Sequence, residues 1–187
     1  NQDIRHQHSE RNILINWHNY QLKQISFSPD SSLLAYSYHS QGKQKIIIKD
    51  TSTGKRKQIH VRYFKTIDLP TNTKTPLISW KSNKELSYLT YKKGKPFFAT
   101  YDLKKGRTTR KKFEYFDQIL SFDHNPINEN EIVLSAVQKG QSDIFTYNFK
   151  SNAAIRLTKD LYDDLYPRYL PKSNRFIFSS NRQSDTL

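Results

Sequence analysis

The sequence predicts an all-β chain folded as a β-propeller, on three observations. An aromatic residue, a polar turn and a short apolar run recur in that order along the chain. The marker aromatics Phe27, Trp80, Phe122 and Tyr169 stand 53, 42 and 47 residues apart. No stretch carries a capped amphipathic helical pattern. A loose period in the forties, with several strands per unit, is the pattern of stacked propeller blades.

The units follow in order. Ile25-Ser26-Phe27-Ser28-Pro29-Asp30 precedes Leu33-Leu34-Ala35-Tyr36-Ser37-Tyr38 in the first, over residues 24–65. Pro29 suits the first central position of a type I turn, and Asp30 can accept from nearby amides. Ile78-Ser79-Trp80 precedes Leu86-Ser87-Tyr88-Leu89 in the second, over residues 76–113, and Leu120-Ser121-Phe122 precedes Ile132-Val133-Leu134-Ser135 in the third, over 118–158. Ile132 and Leu134 point one way and Val133 and Val137 the other, so that strand is apolar on both faces and needs cover above and below. Gly94, Gly106 and Gly140 each sit alone between strand runs, as hairpin turns require. A fourth unit begins at Tyr166 and is incomplete at residue 187.

The arithmetic gives about three full blades with partial blades at both ends. Residues 1–23 hold either the end of a preceding blade, with residues 12–17 as its outer strand, or a closing strand that completes a four-bladed ring. The first reading is favoured, because so few blades seldom close a propeller. The missing blades are then expected from the parent polypeptide or a partner chain, since a broken ring leaves open strand edges and apolar faces.

Composition bounds the function. The absence of Cys excludes disulfides, thiolate metal sites and a cysteine nucleophile. No apolar run reaches membrane-spanning length. The net charge of +14 is concentrated in residues 41–112, which carry a local +16 against −2 elsewhere. Lys55, Arg56, Lys57, Arg62 and Lys65, then Lys104, Lys105, Arg107, Arg110, Lys111 and Lys112, fall on expected outer strands and hairpins. Such a block attracts acidic proteins, nucleic acid or anionic headgroups, while Lys on edge strands also blocks sheet-to-sheet pairing. Nucleic acid is not favoured, for no recognition motif accompanies the charge.

The residues supply no catalytic set. Gly140-Gln141-Ser142 has half of a nucleophile elbow and sits in a hairpin, so Ser142 reads as a turn residue. Asp160, Asp163 and Asp164 form the one acidic cluster, best used in capping turns between blades. His6 and His8 could share a strand face but lack a third ligand, so neither a metal nor another cofactor is expected.

One stretch resembles a known family. Asp143-Ile144-Phe145-Thr146-Tyr147-Asn148, Ile155-Arg156-Leu157-Thr158, Asp163-Asp164-Leu165-Tyr166-Pro167 and Phe176-Ile177-Phe178-Ser179-Ser180-Asn181-Arg182 together look like the TolB-type propeller repeat of bacterial envelope proteins. Ser28-Pro29-Asp30 matches that family's turn, although no unit keeps the Gly that follows Pro-Asp there. The resemblance covers residues 24–187 and implies a non-catalytic, periplasmic interaction or scaffold module, associated with the outer membrane. It also implies docking onto envelope proteins, such as an acidic partner or a peptidoglycan-associated lipoprotein. Tyr162, Tyr166 and Arg168 are the anchor candidates, because Tyr and Arg dominate interface energetics. Asp163 and Asp164 lie beside them, and Lys104, Lys105, Lys111 and Lys112 are the basic contact candidates. Two alternatives stand beside this reading. One is the gating propeller of a prolyl-oligopeptidase-like serine peptidase; the other is polyanion or nucleic-acid binding through residues 41–112.

Overall fold

The computed structural model describes residues 21–40, 43–59, 61, 76–92, 95–113, 115–138 and 140–182. The expectations attached to residues 12–17, His6, His8, Arg62, Lys65 and Gly94 lie outside the described residues.

The described residues form fourteen strands, each pairing antiparallel with its neighbour in sequence within a sheet. The first blade is β1 (Gln21–Phe27), β2 (Leu33–Ser40), β3 (Lys43–Asp50) and β4 (Arg56–Ile59). The second is β5 (Leu77–Ser82), β6 (Glu85–Lys92), β7 (Lys95–Asp102) and β8 (Arg107–Lys112). The third is β9 (Gln118–His124), β10 (Glu131–Gln138), β11 (Gln141–Asn148) and β12 (Ala153–Arg156). Only β13 (Asp164–Tyr169) and β14 (Phe176–Ser180) of a fourth are described. The architecture is therefore three four-stranded blades and the first two strands of a fourth.

Strand alternation builds two inter-blade cores. Ala35, Ile46, Ile48 and Ile59 of the first blade meet Ile78, Trp80, Leu86, Tyr88, Ala99 and Tyr101 of the second. From the opposite faces of β6 and β7, Leu89, Tyr91 and Phe98 meet Ile119, Phe122, Ile132, Leu134, Ala136, Phe145 and Tyr147 of the third. The central strands thus bury residues on both faces, as the sequence of β10 requires: Ile132 and Leu134 on one side, Val133 and Ser135 on the other, all at most 1% exposed. Burying each such Leu, Ile or Phe contributes about 1.5–3 kcal/mol, and these joints hold the arc together.

One turn recurs between the third and fourth strands of each complete blade. It opens on Asp50, Asp102 or Asn148, whose Oδ1 accepts amide hydrogens two or three residues on. It closes on a residue with left-handed backbone: Gly54 (φ 70°), Gly106 (φ 64°) and Asn152 (φ 57°). Glycine adopts that region without steric cost, and asparagine is the side-chain-bearing residue that tolerates it best. At the first β1–β2 turn, Asp30 accepts from Ser28 Oγ (2.6 Å) and the Ser32 amide (3.0 Å), and Ser31 takes φ 61°.

Ser142 differs from expectation: it lies inside β11, buried, not in the turn. The hairpin bends at Gly140 (φ 83°), and Ser142 Oγ reaches back to the Asp163 carboxylate.

Candidate interaction basin and basic rim

The innermost strands β1, β5, β9 and β13 stand side by side and are stitched to one another by side chains. Gln24 makes two bonds to Ile78, donating to its carbonyl (2.7 Å) and accepting from its amide (3.0 Å). Trp80 Nε1 donates to the Ser26 carbonyl at 3.0 Å. Asp123 joins three blades: Oδ1 accepts from Ser79 Oγ (2.8 Å) and Oδ2 from the Tyr169 amide (3.0 Å). Arg168 donates to the Phe122 carbonyl at 3.0 Å. The turns are linked as well, Asp30 N to Asn83 Oδ1 (3.1 Å) and Asn125 Nδ2 to Asn174 Oδ1 (2.9 Å).

These strand ends enclose a basin of about 650 Å3, lined by Phe27, Trp80, Lys81, Asp123, Tyr169 and Lys172 among others. The marker aromatics of the first, second and fourth units thus become its walls, with charges of both signs between them. Burial raises the Asp123 carboxyl, against the opposing pull of Ser79, Arg168 and the Tyr169 amide. Burial also raises the Tyr169 phenol, which donates to Glu131 Oε1 at 2.9 Å. The basin thus sets apolar walls beside buried polar groups.

His124 borders the basin from inside the blade 2–blade 3 joint. Its Nε2 lies 2.8 Å from Ser87 Oγ and its ring packs among Phe98, Phe122 and Phe149. Burial, with a smaller push from Lys81, drives its pKa down to about 3, so it is neutral at ordinary pH. The Ser87–His124 pair is no nucleophile and base. Ser87 is wholly buried, and among the described residues His124 Nδ1 has no acidic partner to orient it. Among the described residues no three His, Asp or Glu side chains converge as metal ligands.

The candidates named from sequence fall in three settings. Tyr162 (44% exposed) and Tyr166 (59% exposed) are open to solvent, and Tyr166 sits in a bulge of β13 with φ 54°. Asp163 is exposed and takes part in the Ser142 and Asn181 contacts. Asp164 must be corrected as a contact candidate: it is fully buried and accepts from Arg182 at 2.9 Å, so it holds the fourth blade together. Arg168 directs its guanidinium into the third blade. Lys104 and Lys112 are exposed on the rim, and Lys105 pairs with Asp102 at 3.4 Å. Lys111 turns inward over the Tyr147 and Phe149 rings (5.4 and 5.7 Å), which ties the second blade to the third. Asp123 and His124 line the basin, and Asp123-His124-Asn125 stands in the third unit where the first has Ser28-Pro29-Asp30.

No protein-family profile and no curated protein match the sequence. Solved structures do match. A protein described as a TolB from Agrobacterium tumefaciens superposes with a TM-score of 0.64 at 21% identity, covering 82% of this chain and 52% of that one. TolB from Acinetobacter baumannii gives a TM-score of 0.65 at 17% identity, over 86% and 41% of the respective chains. The fold is that of the TolB-type β-propeller. A prolyl endopeptidase also matches, with a TM-score of 0.59 at 13% identity over 90% of this chain and 26% of its own. The TolB-type arc described here thus spans about half the length, or less, of these propeller-bearing chains.

Proposed function

We propose that this propeller arc is a non-catalytic protein-interaction module of a bacterial envelope protein, working in the periplasm. The observation that carries the reading is the basin, where rigid inner strands present Phe27, Trp80 and Tyr169 with Asp123 and Lys172 around one concavity. The TolB-type likeness supports the compartment and the class of partner, an outer-membrane-associated protein such as a peptidoglycan-associated lipoprotein. Tyr162 and Tyr166, exposed towards the start of β13, offer a second contact surface apart from the basin, and the parent polypeptide or a partner supplies the remaining blades.

Affinity capture from envelope extracts tests it. The wild-type chain should retain a peptidoglycan-associated lipoprotein, and Lys172→Glu together with Phe27→Ala should weaken retention at least tenfold with the fold intact by circular dichroism. Equal retention by the variant would remove the basin from the interface. The prolyl endopeptidase likeness supports a second reading, a gating propeller in a serine peptidase. A Gly-x-Ser-x-Gly hydrolase domain in the parent polypeptide would favour that one.

A further inference from the structure

The outer rim of the first two blades has a property the basin does not use. Lys55 and Arg56 open β4, and Lys104 and Arg107 flank the matching turn before β8; Arg110 follows on β8, and all five side chains are exposed. The two turns are copies of one another, so the recurrent geometry places their cations at the same end of adjacent blades. Lys57 lies 5.2 Å from the Tyr101 ring of the second blade, which shows how closely the two outer edges approach.

The two described carboxylates on this rim, Asp50 and Asp102, are outnumbered by its cations and already have partners. Asp50 is satisfied by Ser52 (2.7 Å from Oγ) and Thr53 (2.7 Å from N), and Asp102 by the Lys105 amide (2.8 Å) and ammonium (3.4 Å). Among the described residues Lys55, Arg56, Lys104, Arg107 and Arg110 make no ion pair. Among the described residues the strands of the rim expose no large apolar group either. The large apolar side chains that are exposed, Ile25, Phe27, Tyr115, Ile127 and those from Ile155 onward, all lie outside β3, β4, β7 and β8.

We propose that this rim is an electrostatic docking ridge for a membrane surface rich in anionic lipid headgroups. A single-stranded nucleic acid binds through stacked rings as well as charge, and among the described residues the strands of the rim expose none. A protein interface needs a desolvated anchor at its centre, and the rim has none of those either. A bilayer needs neither: its headgroups diffuse to meet each cation along an outward-facing edge. Each Lys or Arg near such a surface strengthens association about fivefold, with the effect confined to a Debye length.

The test is co-sedimentation of the full chain with vesicles of phosphatidylglycerol and phosphatidylcholine in equal parts, against pure phosphatidylcholine. Binding is expected only to the anionic vesicles, falling to background as salt rises from 0.1 to 0.5 M. Lys104→Gln, Arg107→Gln and Arg110→Gln together should weaken it about 100-fold. Lys23→Gln, Lys159→Gln and Arg175→Gln, an equal loss of exposed charge elsewhere, should leave it within about threefold. Equal binding to neutral vesicles, equal loss in both triple variants, or tighter binding to duplex DNA or polyglutamate than to anionic vesicles would each overturn the ridge.

Discussion

Ser31 and His124 are single residues whose surroundings leave measurable traces. Ser31 holds φ 61°, a region that costs a side-chain-bearing residue about 1–2 kcal/mol. Part of that cost returns through the greater freedom of glycine in the unfolded chain, so Ser31→Gly should stabilise the protein by about 0.5–1 kcal/mol in urea denaturation. His124 is held neutral in the fold, with its pKa depressed to about 3, while the unfolded chain protonates it near 6.5. Its contribution is therefore fully present above about pH 6.5 and is lost as pH falls towards 3. The slope approaches 1.4 kcal/mol per pH unit. Lys81, Glu85 and Glu129 line the same small cleft as this histidine. Asp123 works in the opposite sense, since its raised pKa favours folding as pH falls. The part of the slope between pH 6 and 4 that disappears in His124→Phe belongs to His124, and an unchanged slope would contradict its burial as a neutral ring.

At the scale of strands and turns, much was legible in advance. The aromatic-turn-apolar order placed β1, β5, β9 and β13 with their partners, because a strand buried on two faces has a recognisable composition. The isolated glycines marked turns at Gly106 and Gly140, where left-handed backbone was needed. Asn152 escaped notice because asparagine carries no comparable signature, and Ser142 was misplaced because the bend falls two residues earlier than its neighbours suggest. The recurrent turn makes a direct prediction. Gly54→Ala and Gly106→Ala should each cost about 1 kcal/mol or more, although an added Cβ would meet only ordinary contacts at 3.8 and 3.9 Å. The penalty comes from φ alone, so a loss well under 0.5 kcal/mol in thermal melts would disprove it.

Over the whole molecule, the sequence announced a ring segment but not what faces its axis. Gln24, Asp123 and Arg168 are ordinary polar residues in sequence, and only the close approach of successive inner strands makes them stitches. The two ends of the arc expose what the interior hides. Ile25 and Phe27 are open on the first blade; Ile155 (62% exposed), Leu161 (91%) and Ile177 (61%) are open around the last. β14 has no third strand on its outer edge among the described residues, whereas β2, β6 and β10 each have one. Contiguous apolar exposure of this kind promotes association. Ile25→Ser with Ile155→Ser and Ile177→Ser should lower light scattering at micromolar concentration, and unchanged scattering would show that these faces are not adhesive.

The axial stitches also fix how the arc responds to tension. Gln24 to Ile78, Ser79 to Asp123 and Asp123 to Tyr169 span 54, 44 and 46 residues, so each of these clasps among the described residues closes on the next repeat. Pulled from Gln21 and Arg182, the arc meets no clasp between distant repeats among the described residues. It should pay out like a row of buttons, in discrete extensions of roughly 150 Å for each repeat set free.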